Sequence, residues 1–190
     1  IRSFECEHCT NACQINEVSI ADREPLHYGA KCDRYEVNKN AADDHNIPNL
    51  FNERFRLLKK HANLPESPRP GAPTVGIPLA LGNYQLLPFW GTLLGELGAN
   101  VVLSGASTKK VIQRGVDVVL STPCFPVKVA HGHVLELIDK GVEAIWLPSV
   151  LSMFDDDPST DRNQLCPYVQ AIPYQVAVAV EPGRKGVKLL

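Results

Sequence analysis

The chain has no apolar run long enough to cross a membrane, and its first twenty residues, IRSFECEHCTNACQINEVSI, lack the hydrophobic stretch of a secretory signal. A cytoplasmic location with reduced thiols follows, which argues against reading the even cysteine count as a disulfide framework. A basic run is also missing. With a formal net charge of −2 over 190 residues, nucleic acid and anionic lipid find little to hold, so neither is expected as a partner. There is no Walker A loop, no G-x-G-x-x-G turn and no G-x-S-x-G elbow, so the common phosphate, dinucleotide and acyl-transfer signatures are absent and no catalytic residue is assigned. The sequence starts at Ile1 without an initiator Met and closes on KGVKLL, which reads as the start of another element. An internal fragment of a larger protein is therefore expected, and one not catalytic alone.

What the chain does have is six cysteines in a pattern. Four lie near the front, as Cys6-x2-Cys9-x3-Cys13 followed by Cys32. Three thiols so close together staple no useful loop, whereas a turn that aims several sulfurs inward is what tetrahedral zinc or an iron-sulfur cluster requires. Between Cys13 and Cys32 the segments QINEVSI and PLHYGAK flank the turn-prone ADRE, so a β-hairpin is expected to return Cys32 to the others. Such a module buries too little apolar surface to fold alone, and a bound ion would supply much of its folding free energy. Thiolates suit zinc and iron alike, so the metal stays open at this point. His8 and His27 are possible substitute ligands, with an exposed polar role the simpler one for each.

A composition of 44% hydrophobic and 21% charged residues is that of an ordinary soluble chain with room for one real core and a small appendage. Four stretches are expected: a cysteine-rich knuckle over 1–37, a helical connector over 38–64, a proline-rich linker over 65–73, and an α/β domain over 74–190. In the connector, Leu50, Phe51, Phe55 and Leu58 recur at helical spacing, and Arg54, Lys59 and Lys60 form a solvated face. PESPRPGAP holds four prolines and excludes helix and inner strand alike.

From Thr74 onward strands and helices alternate. TVGIPLAL, NVVLS, VDVVLS and VEAIWLP read as strands; YQLLPFWGTLLGELG, STKKVIQRG and FPVKVAHGHVLELIDKG read as helices. The first of these helices would bury Leu86, Phe89, Trp90, Leu93, Leu94 and Leu97 and end at Gly98. Near-continuous Val/Ile/Leu strands joined through helices mean an open, doubly wound parallel sheet covered on both faces.

Ligands of such sheets bind beyond the carboxyl ends of the strands. Cys124 falls there, in STPCFPVK between the third expected strand and a helix, where the helix dipole and the nearby Lys128 favour a thiolate. The plainer alternative is a small buried core cysteine. His131 and His133 are two apart on a helix and point in different directions, so a structural hydrogen bond to a neighbouring loop is expected, not shared ligation. The acidic run with Asp155, Asp156, Asp157 and Asp161 reads as a solvated loop.

The phrases VGIPLALGNYQLLPFWGTLLGELGANVVLSGAS, STPCFPVKVAHGHV and NQLCPYVQAIPY, preceded by the cysteine knuckle and YGAKCDRYE, resemble the large activase-related proteins of the 2-hydroxyacyl-CoA dehydratase systems of anaerobic bacteria. The resemblance covers nearly the whole chain. It implies iron-sulfur electron transfer, with Cys124 and Cys166 matching the cluster ligands that relatives project from strand-end loops. It also implies activase-type ATPase domains elsewhere in the parent protein and a dehydratase or reductase partner. Two thiolates are fewer than a cubane takes, so the remaining ligands would come from outside this chain. The alternative is a non-catalytic interaction module with a zinc knuckle.

Overall fold

The computed structural model describes residues 1–8, 12–21, 23–32, 34–35, 48–65, 67–153, 159 and 163–190. Contacts divide the chain into two compact units, 1–49 and 50–190.

The first unit is an antiparallel meander of β1 (Arg2–Glu5), β2 (Gln14–Val18) and β3 (Leu26–Tyr28), with β2 central. The expected hairpin between QINEVSI and PLHYGAK forms, with Glu17 opposite His27. β1, which the sequence reading passes over, pairs Phe4 with Ile15. Alternation along β2 turns Ile15 inward to full burial, beside Cys6 and Cys13 and under Phe4, Ala30 and Tyr35. Just past β3 the chain crosses so close to β2 that a side chain at Gly29 would lie 2.3 Å from the Gln14 carbonyl oxygen, and the backbone there has φ +99°. Only glycine fits such a crossing.

The second unit is the expected α/β layer structure. Its parallel sheet has the order β5-β4-β6-β7, from β4 (Thr74–Ile77), β5 (Asn100–Leu103), β6 (Ala144–Ile145) and β7 (Lys188–Leu189). Val75 pairs with Val101 on one side of β4 and with Ala144 on the other, so the chain reverses its direction of winding about β4. β7, inside the closing phrase KGVKLL, adds in parallel beside β6. The helices are α1 (Leu50–His61), α2 (Leu81–Gln85), α3 (Leu87–Glu96), α4 (Lys109–Val118), α5 (Phe125–Asp139), α6 (Pro167–Gln170) and α7 (Ile172–Ala179). None of the described helices is long and apolar enough to span a membrane.

Two expectations are corrected. VDVVLS is not a strand: α4 runs through it to Val118, and the chain then leaves as a loop. Val111, Gly115 and Val118 recur at helical spacing, and the first two are buried. At this contact, a side-chain carbon on Gly115 would lie 2.2 Å from the Lys128 carbonyl oxygen, and one on Gly132 would lie 2.0 Å from that of Val111. Backbone-to-backbone packing of two helices, open only to glycine, overrides the β-preference of the valines.

The second correction concerns YQLLPFWGTLLGELG, which breaks at Leu86 into α2 and α3. The buried face carries Leu87, Gly91, Leu94 and Gly95, while Phe89 and Leu97 are 58% and 74% exposed. The end of α1 presses on Gly91, where a side-chain carbon would meet the Ala62 carbonyl oxygen at 2.8 Å. Again a glycine selects the face.

The proline-rich stretch lies in this same unit, tied down by one asparagine. Asn100 Oδ1 accepts from the Arg69 amide (2.7 Å), and its Nδ2 donates to the carbonyls of Arg69 (2.9 Å) and Ala72 (3.2 Å). The Arg69 guanidinium donates to the Gly95 carbonyl (2.7 Å).

Candidate functional site

Both cysteines of the α/β unit start helices, and they do so alike. Cys124 is the N-cap of α5, extended at φ −60° and ψ 158°, with Pro126 in the first turn. Its carbonyl accepts from the amides of Val127 (3.1 Å) and Lys128 (3.2 Å). Cys166 is the N-cap of α6 at φ −53° and ψ 135°, with Pro167 next, and its carbonyl accepts from Val169 (2.8 Å) and Gln170 (3.0 Å). Proline suits the first turn because its missing N–H has no helical partner there in any case. Neither sulfur caps its helix, and both thiols are free and exposed. The core-cysteine alternative for Cys124 is thereby set aside. Cys124 is preceded by the loop that leaves α4, not by a strand as expected.

Beside the carboxyl edge of the sheet, where winding reverses, Ala130 of α5 and Val169 of α6 line one narrow cleft with Ala80, the start of α2 (Leu81, Gly82 and Asn83), and Leu147 and Pro148 after β6; neither cysteine lines it. The free volume of this cleft is only about 10 Å³, room for no more than a water molecule. Leu81, the first residue of α2, is left-handed at φ +51°.

His133 fills the structural role expected of it. Ser104 Oγ, just past β5, accepts from the Leu79 amide at 2.7 Å and contacts His133 Nδ1 at 2.9 Å. Ser107 Oγ contacts His133 Nε2 at 2.9 Å. The strap thus joins the loops after β4 and β5 to α5. Ser104 and Ser107 escaped the sequence reading; small hydroxyl residues immediately after a strand were the available signal. His131 instead turns Nδ1 to the Val127 carbonyl of its own helix at 2.8 Å. Burial is the main cause that pulls both imidazoles below their ordinary pKa, so both are neutral at pH 7.

In the first unit, Cys6 and Cys13 face each other across the end of the β1–β2 ladder, the Cys6 amide donating to the Cys13 carbonyl at 2.9 Å. Both are buried, whereas Cys32 is exposed. The Tyr35 hydroxyl donates to Cys6 Sγ at 3.7 Å. That hydrogen bond, ahead of desolvation, holds the phenol above its usual pKa, and Cys32 is near enough to add to the effect. Cys9 and the acidic residues Asp155, Asp156, Asp157 and Asp161 lie outside the described residues. Among the described residues no three His, Cys, Asp or Glu side chains gather closely enough to hold a metal. His27 pairs with Glu17 at 3.2 Å, a role that takes it away from ligation.

A family model described as a CoA enzyme activase uncharacterised domain matches residues 74–190. No curated protein and no solved structure matches the chain significantly.

Proposed function

The chain belongs to the CoA enzyme activase family through its α/β unit, and from that membership we propose that it is the cluster-bearing or cluster-docking region of an ATP-driven low-potential electron-transfer protein related to the 2-hydroxyacyl-CoA dehydratases and their activators. The observation that carries the reading is the like placement of Cys124 and Cys166, each a free, exposed thiol at the start of a proline-led helix.

The donor set fits such a group. A helix N-terminus favours a thiolate, and exposure keeps the sulfur open to a ligand that arrives from outside. A bound iron-sulfur cluster would supply one-electron chemistry at low potential. Cys124 and Cys166 would hold it from this side, and Lys128, in the first turns of α5, would offset part of its negative charge. A cubane takes three or four thiolates, so the remaining ligands belong to a partner surface. The partners that suit the reading are activase-type ATPase domains and a dehydratase or reductase component, in the cytoplasm, with no nucleic acid or membrane involved.

Cys6, Cys9, Cys13 and Cys32 are proposed to form a second centre, zinc before iron-sulfur. Its support is that, among the described residues, the core of the first unit buries only Ile15, Cys6 and Cys13, too little to hold a meander together unaided. The Tyr35 hydroxyl on Cys6 is the kind of outer contact that orients a ligating sulfur. This centre favours a second reading, an interaction module with a structural zinc knuckle and no redox role. Single replacement of Cys124 or Cys166 by Ser in the intact protein, purified without oxygen, separates the two. Loss of bound iron with the knuckle metal retained supports the cluster reading. Iron unchanged in both variants sinks it.

A further inference from the structure

Away from the cysteines, the loop after α4, the middle of α5 and the outer face of α7 line a half-open cavity of about 340 Å³. Its walls include Leu120, Ser121, Tyr174, Val178 and Ala179, none of its lining side chains carries a charge, and His131 is part of it. The volume is within the range of small-molecule sites, which are mostly apolar with a few convergent polar groups. His131 is one such group, beside Ser121 and Gln175. Only 1% of its surface is exposed. Because a carbonyl can only accept, the contact to Val127 fixes the proton on Nδ1 and leaves Nε2 as an acceptor. No hydrogen bond engages Nε2 among the described residues, and His131 is one of the residues that line the cavity. His133, two residues on, shows the contrast: both of its ring nitrogens are engaged by serines.

We propose that this cavity is a binding site for an uncharged amphipathic small molecule whose hydroxyl donates to His131 Nε2 and whose apolar body lies against Leu120, Val178 and Ala179. Each element of that chemistry follows from the walls. An acceptor with no protein donor is matched by a ligand that brings an O–H or N–H to it in place of water. A charged ligand would lose its hydration with no opposite charge to meet, which excludes carboxylates, phosphates and ammonium groups. Tyr174 and Val178 are 70% and 65% exposed, so the mouth is open and apolar without any movement of the backbone.

The test uses phenol as the probe and toluene as its isostere without the hydroxyl, each titrated into the whole chain and followed by amide NMR shifts. Phenol is expected to shift residues 120–121, 131 and 174–179 and to bind about fivefold more tightly than toluene, the weight of one neutral hydrogen bond of about 1 kcal/mol. His131→Phe should remove that preference. Val178→Glu, a change at an exposed helix position that leaves His131 in place, should weaken both probes by bringing a carboxylate to the apolar mouth. Should His131→Phe fail to fold, the phenol-to-toluene ratio in the unaltered chain and the Val178→Glu result still decide. Equal affinity for the two probes, shifts located elsewhere, or binding unaffected by Val178→Glu would overturn the proposal.

Discussion

Replacing Gly132 by alanine sets two known effects against each other, and the structure says which wins. In a helix interior alanine is better than glycine by about 0.8–1.0 kcal/mol, so the local effect stabilises. Against it, the new carbon would sit 2.0 Å from the Val111 carbonyl oxygen on α4, a backbone atom that cannot swing away. Carbon–oxygen contacts relax at about 3.3 Å or more, so α4 and α5 must separate by more than about 1 Å. A gap of that size forfeits a large part of the dispersion along the interface, and overpacking of this kind costs about 1–3 kcal/mol, occasionally more. With the whole interface displaced, the upper part of that range applies, and a net loss of about 1–2 kcal/mol is expected. Gly115→Ala, at 2.2 Å from the Lys128 carbonyl oxygen, should behave the same way. Gly95→Ala in α3 is the control: nothing lies within 4 Å of the added carbon, so a gain of about 0.5–1 kcal/mol is expected. The assay is urea unfolding followed by the fluorescence of Trp90 and Trp146, both in the α/β unit. Stabilisation by Gly132→Ala equal to that of Gly95→Ala would refute the close-packed hairpin.

Two further outcomes follow from polar contacts. His131 and His133 have folded pKa values below the ordinary 6.5, so the unfolded chain binds more protons under acid conditions. Their neutral burial therefore costs nothing above about pH 6.5, and stability falls as the pH drops below it, by at most about 1.4 kcal/mol per pH unit for each. Urea midpoints taken from neutral to mildly acid pH should show this decline, and His133→Gln should make it shallower; a flat profile in both would contradict buried neutral imidazoles. Asn100→Ala removes three side-chain hydrogen bonds to the proline-rich segment and should cost about 1–3 kcal/mol. Proteolysis within 65–73 should also quicken in that variant, and equal cleavage rates in variant and parent would show that the clamp is unimportant.

How far the sequence discloses this molecule depends on the range of the interaction that decides each element. β4 and β5 were legible because a run such as VVL in a parallel sheet is apolar at every position. α5 was legible from its length and from Pro126 in its first turn, which also put Cys124 at a helix start. The hairpin between β2 and β3 followed from its turn residues. α4 was misread at VDVVLS because the same valines satisfy a strand locally, and the deciding fact, the fit of Gly115 and Gly132 against opposing backbone, is tertiary. The buried face of α3 was missed for a like reason: glycines carry no hydropathy signal, yet Gly91 is where α1 docks. β1 is too short and charged to announce itself, and it exists through its pairing with β2. At the candidate site, the proline beside each cysteine pointed to a shaped loop, whereas the serines that engage His133 were marked only by their place just after a strand. The cavity at His131 was illegible because helix α7 closes it from across the chain.

The central proposal is that cysteines of this protein hold metal in two separate centres. The most direct measurement is the zinc, iron and acid-labile sulfide content of the intact protein, isolated without oxygen or chelator, together with its visible absorption spectrum. The account predicts roughly one zinc, or one cluster, at the N-terminal cysteines, and in addition iron and sulfide with a broad thiolate-to-iron absorption that bleaches on reduction and disappears when Cys124 or Cys166 is replaced by Ser. A colourless protein without iron or sulfide, whose metal content is the same with or without Cys124 and Cys166, would contradict it.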